Sequence, residues 1–118
     1  MSTVLVVEDN ANNLYLIRYI LEKKRYTVIS AMTGIEGLNK ALNEKVDLIV
    51  MDIQLPDIDG LEITRRIRAA GNKIPIVALT SYAMAGDKAK SLEAGCTGYL
   101  SKPINPETIV AELEKYLT

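Results

Sequence analysis

Five times along the chain a short apolar run gives way to a segment with helical periodicity, and this alternation, more than any single residue, limits the folds open to it. The apolar runs are Val4 to Val7, Tyr26 to Ile29, Leu48 to Met51, Ile76 to Leu79 and a weaker Tyr99-Leu100. Their β-branched and leucine content is continuous rather than alternating, which suits strands covered on both faces. Strands joined through helices run parallel, because a parallel pair needs a crossover between its members. Only the fifth run, flanked by Gly98 and Ser101, reads as an edge strand. At 118 residues the chain holds one such domain, residues 1–118, with no room for a second.

The intervening segments carry the stripes expected of covering helices. Leu14, Ile17 and Leu21, with Ile20 beside them, give a first helix that ends in Lys23, Lys24 and Arg25, where cations suit a C-terminal dipole. Ile35, Leu38 and Leu42 predict a second buried stripe; Leu61, Ile63 and Ile67 a third; Ile109 or Val110, Leu113 and Leu117 a fifth, starting near Pro106 and Glu107. The fourth, about Ala83 to Ala94, is poor in apolar residues. Leu92 is its one large candidate for burial, helped by Met84 and Ala89, so it is expected to be the least firmly packed. Gly71, Gly95 and Gly98 stand where helix-ending glycines belong.

Right-handed crossovers and helices on both sheet faces require the winding to reverse once, which a flavodoxin-like doubly wound sheet in the order 2-1-3-4-5, with five helices, satisfies. The reversal then lies between the first and third strands, beyond whose C-terminal ends ligands bind. The first strand ends in Glu8-Asp9, the third in Asp52, the fourth in Thr80-Ser81 and the fifth in Lys102-Pro103. Adjacent strands are about 4.8 Å apart, so Asp9 and Asp52 repel by about 3 kcal/mol at an effective dielectric near 20. Lys102 offsets part of this. A hard divalent cation suits three clustered carboxylates better, and Mg²⁺ leaves places for water and a phosphate oxygen. A carboxylate beside such a cation can attack phosphorus while Mg²⁺ and Lys102 neutralise the equatorial oxygens. Asp52, closing an entirely apolar strand, is the best nucleophile candidate.

Composition removes other chemistries. There is no histidine and one cysteine, Cys96, so Ser-His and Cys-His catalysis, cysteine-rich zinc sites and an internal disulfide are excluded, and the chain cannot carry phosphohistidine itself. With 14 basic and 15 acidic side chains the net charge of −1 argues against an electrostatic nucleic-acid binder. No apolar run approaches the roughly 20 residues that span a bilayer, and a strand begins within a few residues of Met1. A cytoplasmic protein is expected.

Leu5 to Asn10, Asp47 to Pro56, Ile76 to Thr80 and Tyr99 to Pro103 resemble, in order and spacing, the motifs of the response regulator receiver domain, a chemotaxis-regulator-like family, over essentially the whole chain. The likeness is greatest to stand-alone receivers of the cell-division and cell-cycle type. It implies that Asp52 accepts phosphate from the phosphohistidine of a sensor histidine kinase or histidine phosphotransfer protein. It further implies that Glu8, Asp9, Asp52 and the backbone carbonyl of Gln54 hold Mg²⁺, partly through water, and that Lys102 pairs with the phosphate. Thr80 would turn onto a phosphoryl oxygen and Tyr99 follow inward, reshaping the surface of helix four, strand five and helix five for a downstream protein. The Lys102-Pro103 bond would be cis. A monomer is expected, with dimerisation on phosphorylation open. Glu8 stands where aspartate is commoner, and Tyr82 and Gln54 flank the path of attacking water, so these two are expected to set the lifetime of the phosphorylated state.

Taken singly these residues have plainer readings: solvated loop starters for the carboxylates, a loop hydrogen-bonder for Thr80, edge-strand packing for Tyr99, a surface lysine for Lys102. Arg65, Arg66 and Arg68 read as a solvated helix face, and Cys96 as a half-buried packing residue. A phosphatase of the haloacid dehalogenase type would need a second aspartate where Gln54 stands, together with a cap domain. A flavodoxin-like electron carrier would need a hydroxyl-rich phosphate loop where Glu8-Asp9 stand. A receiver that has lost its chemistry would not need the intact Asp9, Asp52, Thr80 and Lys102. A signalling switch without an output domain, rather than an enzyme, is the expectation.

Overall fold

The computed structural model describes residues 2–81 and 85–117. Five parallel strands, β1 (Thr3–Val7), β2 (Thr27–Ala31), β3 (Leu48–Asp52), β4 (Ile76–Thr80) and β5 (Gly98–Ser101), lie in the order β2-β1-β3-β4-β5. They alternate with α1 (Ala11–Lys23), α2 (Gly34–Asn43), α3 (Gly60–Ala69), α4 (Ala85–Ala94) and α5 (Ile109–Glu114). The expected doubly wound sheet and its strand order are what the chain adopts. β2 is an edge as well as β5, because the second strand lies outside the reversal.

Alternate residues of each central strand feed two cores. Val4, Val6, Leu48, Val50, Val77 and Leu79 pack on one face with Ile17, Ile20 and Leu21 of α1 and Ile109 and Leu113 of α5. Leu5, Val7, Ile49, Met51, Ile76 and Ala78 pack on the other with Ile63 and Ile67 of α3. All twelve of these strand residues are at most 1% exposed, so the strand ends are held by rigid backbone on both sides.

The second and fourth helices depart from their expected faces. Ile35 and Leu42 are 41% and 45% exposed, Leu38 packs partly buried against the core as expected, and α2 buries Gly34, Gly37 and Ala41. That small stripe has the same i, i+3, i+7 spacing as the bulky one, displaced by one residue. The helix sits so close to the sheet that a Cβ at Gly37 would lie 2.7 Å from Val7 Cγ2, leaving no room for leucine. Among the α4 residues whose side chains are described, Ser91 and Ala94 turn inward, and Leu92 is 48% exposed. Ala89 is exposed too; Ala83 and Met84 lie outside the described residues. Gly71 and Gly95 end α3 and α4 with φ of 85° and 109°, whereas Gly98 belongs to β5. The fifth helix starts at Ile109, after a turn through Pro106 and Glu107.

Candidate functional site

Registry brings the predicted residues to one rim. Val7 pairs with Met51, Asp52 with Leu79 and Thr80 with Ser101, so each polar residue follows or ends a buried strand at nearly the same height. The backbone N–H of Glu8 donates to Ala31 O at 2.9 Å, and that of Lys102 to Thr80 O at 2.7 Å, continuing the ladders one residue past the strands. Asn10 then caps α1, its Oδ1 accepting from Asn13 N–H at 3.0 Å.

Glu8 is 0% exposed and Asp52 1%, yet both carry carboxylates. Lys102 Nζ lies 3.0 Å from Glu8 Oε1 and 3.2 Å from Asp52 Oδ2, and the Gln54 N–H donates to Asp52 Oδ1 at 3.1 Å. Oxygens of Glu8, Asp9 and Asp52 approach within 4.8 Å of one another. The crowding falls mainly on the buried pair, since Asp9 is exposed.

The electrostatics follow from this packing. Burial raises the Asp52 carboxyl, and the hydrogen bond and charge of Glu8 raise it further, against Lys102 and the Gln54 N–H, to about 7. Burial also acts to raise Glu8, but hydrogen bonds from Asp52, Lys102 and Asn13 outweigh it and leave the group below its usual range. The two buried carboxylates therefore compete for ionisation, and Asp52 is the one whose charged form is disfavoured. Burial acts to lower Lys102, and the two carboxylates reverse that, so it stays charged. Two buried carboxylates on one lysine, with a carboxylate oxygen of Asp9 close by, bring more negative than positive charge to this rim. Their hard oxygens fit a divalent cation such as Mg²⁺.

Thr80 is buried at the end of β4, and Tyr99 on β5 packs partly buried against the core shared with α3. Gln54 is exposed on the loop after β3. Tyr82 lies outside the described residues. The Lys102-Pro103 peptide is cis. Cys96 is buried rather than half-buried, its Sγ 3.8 Å from Thr64 Oγ1.

Three contributors escape the strand-end reading. Asn13 Nδ2 donates to Glu8 Oε1 at 3.0 Å; its position one turn past an N-cap residue, from which a side chain can reach back, was the available signal. Asp57 fastens the loop after Asp52 to the start of α2, accepting from the Gly34 and Ile35 N–H groups. Arg68 does not share a solvated face with Arg65 and Arg66: those two pair with Glu62, while Arg68 donates to Gly95 O, Asn72 O and Thr97 Oγ1.

A sheet that reverses its winding at a partly buried, lysine-paired acidic cluster is the arrangement of the receiver domains, which are signalling proteins rather than metabolic enzymes. The chain belongs to the response regulator receiver domain family, which it matches over residues 4–114. It is 38% identical over 117 residues to the polar-differentiation response regulator DivK of Brucella anthropi, covering 98% of this chain and 95% of that one. Among solved structures it is similar to the receiver domain of the sensor histidine kinase PA1611 from Pseudomonas aeruginosa, which has a magnesium ion coordinated in its active site cleft (36% identity, 98% and 97% of the two chains, TM-score 0.90). It is similar also to the chemotaxis protein CheY4 of Vibrio cholerae (33% identity, 99% of each chain, TM-score 0.94). Among the described residues no helix is long and apolar enough to cross a membrane.

Proposed function

We propose that Asp52 is the phosphoacceptor of a two-component signalling switch, charged by the phosphohistidine of a sensor histidine kinase or histidine phosphotransfer protein. The observation that carries this reading is the contact of Lys102 Nζ with both Asp52 Oδ2 and Glu8 Oε1 at the reversal of the sheet. An Asp52 oxygen bonds to phosphorus as the phosphorus–nitrogen bond of the donor breaks, and the electron pair stays with the imidazole, which takes up a proton. Lys102 leaves its carboxylate contacts to pair with the transferred group, where charge develops on the phosphoryl oxygens. Glu8, Asp9, Asp52 and the backbone carbonyl of Gln54 would hold Mg²⁺, which supplies positive charge beside the same oxygens.

Thr80, which is buried at the end of the strand beside β3, turns its hydroxyl onto the new group in this reading, and Tyr99 follows inward. The surface of α4, β5 and α5 then changes for a downstream protein. Gln54 and Tyr82 tune how long the phosphate stays; a faster or slower loss of phosphate in Tyr82→Ala is the expected sign. The test of the whole reading is incubation with acetyl phosphate and MgCl₂ followed by intact-mass measurement. A phosphate gain in the native chain and none in Asp52→Asn supports it; an equal gain in both overturns it.

A further inference from the structure

We propose that Asn13 is a positioning residue for the metal site, acting through Glu8; this rests on the reading of that site as a Mg²⁺ site. Glu8 is longer than the aspartate its place would otherwise hold, and the extra methylene adds a rotatable bond to a carboxylate that is wholly buried. Something has to choose its orientation. Asn13 Nδ2 lies 3.0 Å from Glu8 Oε1, and a carboxylate oxygen only accepts, so the amide presents its NH₂ group. Lys102 Nζ is 3.0 Å from the same oxygen.

The two donors differ in what happens next. Lys102 also contacts Asp52, and it is drawn away when a phosphoryl group arrives. Asn13 is anchored in the first turn of α1, where its backbone N–H donates to the Asn10 cap. It therefore remains on Oε1 and keeps the glutamate from following the lysine. The capping bond uses the main chain and the Glu8 bond uses the side chain, so truncation at Cβ removes one and spares the other.

The prediction is a coupling between two positions, read by calorimetric titration of the unphosphorylated protein with MgCl₂ alone. Asn13→Ala weakens Mg²⁺ binding about tenfold, the loss typical when a hydrogen bond orienting a metal-bound group is removed. In a Glu8→Asp background, where the shortened arm withdraws from Asn13, the same truncation changes affinity less than about twofold. Unchanged binding in Asn13→Ala overturns the proposal, as does an equal loss in both backgrounds, which would mean that Asn13 acts through the helix. If the native chain itself takes up no Mg²⁺, the reading of the site fails and this inference with it. Native binding with an unaffected Asn13→Ala sinks the inference alone.

Discussion

Asp57 Oδ1 lies 2.7 Å from the Gly34 nitrogen, so the loop leaving Asp52 is fastened across 23 residues to the first turn of α2. Its other oxygen accepts from the Ile35 N–H at 2.9 Å. Thr33 caps the same helix through Glu36 N–H, and together the two side chains satisfy three donors at this helix start. The N–H groups of Ile35 and then Gly34 hold the Asp57 carboxyl below its ordinary 3.8. A depressed value in the folded state means stabilisation that is complete above pH 3.8 and lost as pH falls through the folded value. Asp57→Ala is therefore expected to lower the urea midpoint at neutral pH, and the gap from the native chain to narrow on acidification below 3.8. A gap indifferent to acid would remove the carboxylate from the explanation.

The buried pair makes a prediction of opposite sign. Asp52→Asn keeps an acceptor for the Gln54 N–H and withdraws one charge from beside Glu8. In EDTA the variant is expected to melt higher than the native chain, by on the order of 4 °C for each kcal/mol of repulsion relieved. Adding MgCl₂ should raise the native chain more than the variant and reduce that difference. A variant that melts lower without metal would show that the native carboxylates are not in conflict.

What was legible in the sequence follows from what the strands demand. β-branched runs buried on both faces announce themselves, and because parallel strands end on one rim, their order along the chain is enough to gather Glu8, Asp9, Asp52, Thr80 and Lys102. Helix faces are less legible. In α2, Gly34, Gly37 and Ala41 repeat with the same period as Ile35, Leu38 and Leu42, and the closeness of Val7 turns the small residues to the sheet, leaving Leu38 packed at their side and Ile35 and Leu42 exposed. Leu92 misleads for a related reason: Ser91 and Ala94 face inward, so α4 turns small residues to its neighbours. Asn13 and Arg68 were illegible as contributors because polar side chains at such positions usually face water, and what they touch is set by elements far along the chain.

Gly60 separates room from conformation. A Cβ there would collide with the Asp52 carbonyl oxygen and come within 2.9 Å of Ile53 Cα, and both obstacles are backbone. The Gly60 N–H also donates to Ile53 O at 2.8 Å, so the start of α3 cannot retreat without losing that bond. Gly60→Ala should cost about 2 kcal/mol or more by urea unfolding and slow labelling by acetyl phosphate, since the strain falls on the residue after Asp52. Gly71 is the control: its φ is +85° with nothing within 4 Å of a Cβ. Gly71→Ala should cost about 1–2 kcal/mol of left-handed strain and leave labelling unchanged. Equal labelling rates in the two variants would dissociate Gly60 from the site.

Arg68 holds the end of α3 to the turn between α4 and β5 through Gly95 O at 2.9 Å and Thr97 Oγ1 at 3.4 Å, and to its own following loop through Asn72 O at 3.0 Å. Each accepts from a different nitrogen of the guanidinium, a three-point fork that a lysine ammonium does not reproduce. Arg68→Lys should therefore lower stability by about 1–2 kcal/mol, the worth of one or two hydrogen bonds from a charged donor. Arg65→Lys and Arg66→Lys keep exposed pairing to Glu62 and should stay within about 0.5 kcal/mol of the native chain. Salt sharpens the distinction: the acceptors of Arg68 are neutral, so its deficit should persist at 1 M NaCl, where surface ion pairs are screened within about 3 Å. Urea unfolding of the three variants at low and high salt measures both effects. A loss spread evenly over the three arginines would mean that charge on this helix, rather than the reach of one side chain to Gly95, secures the turn.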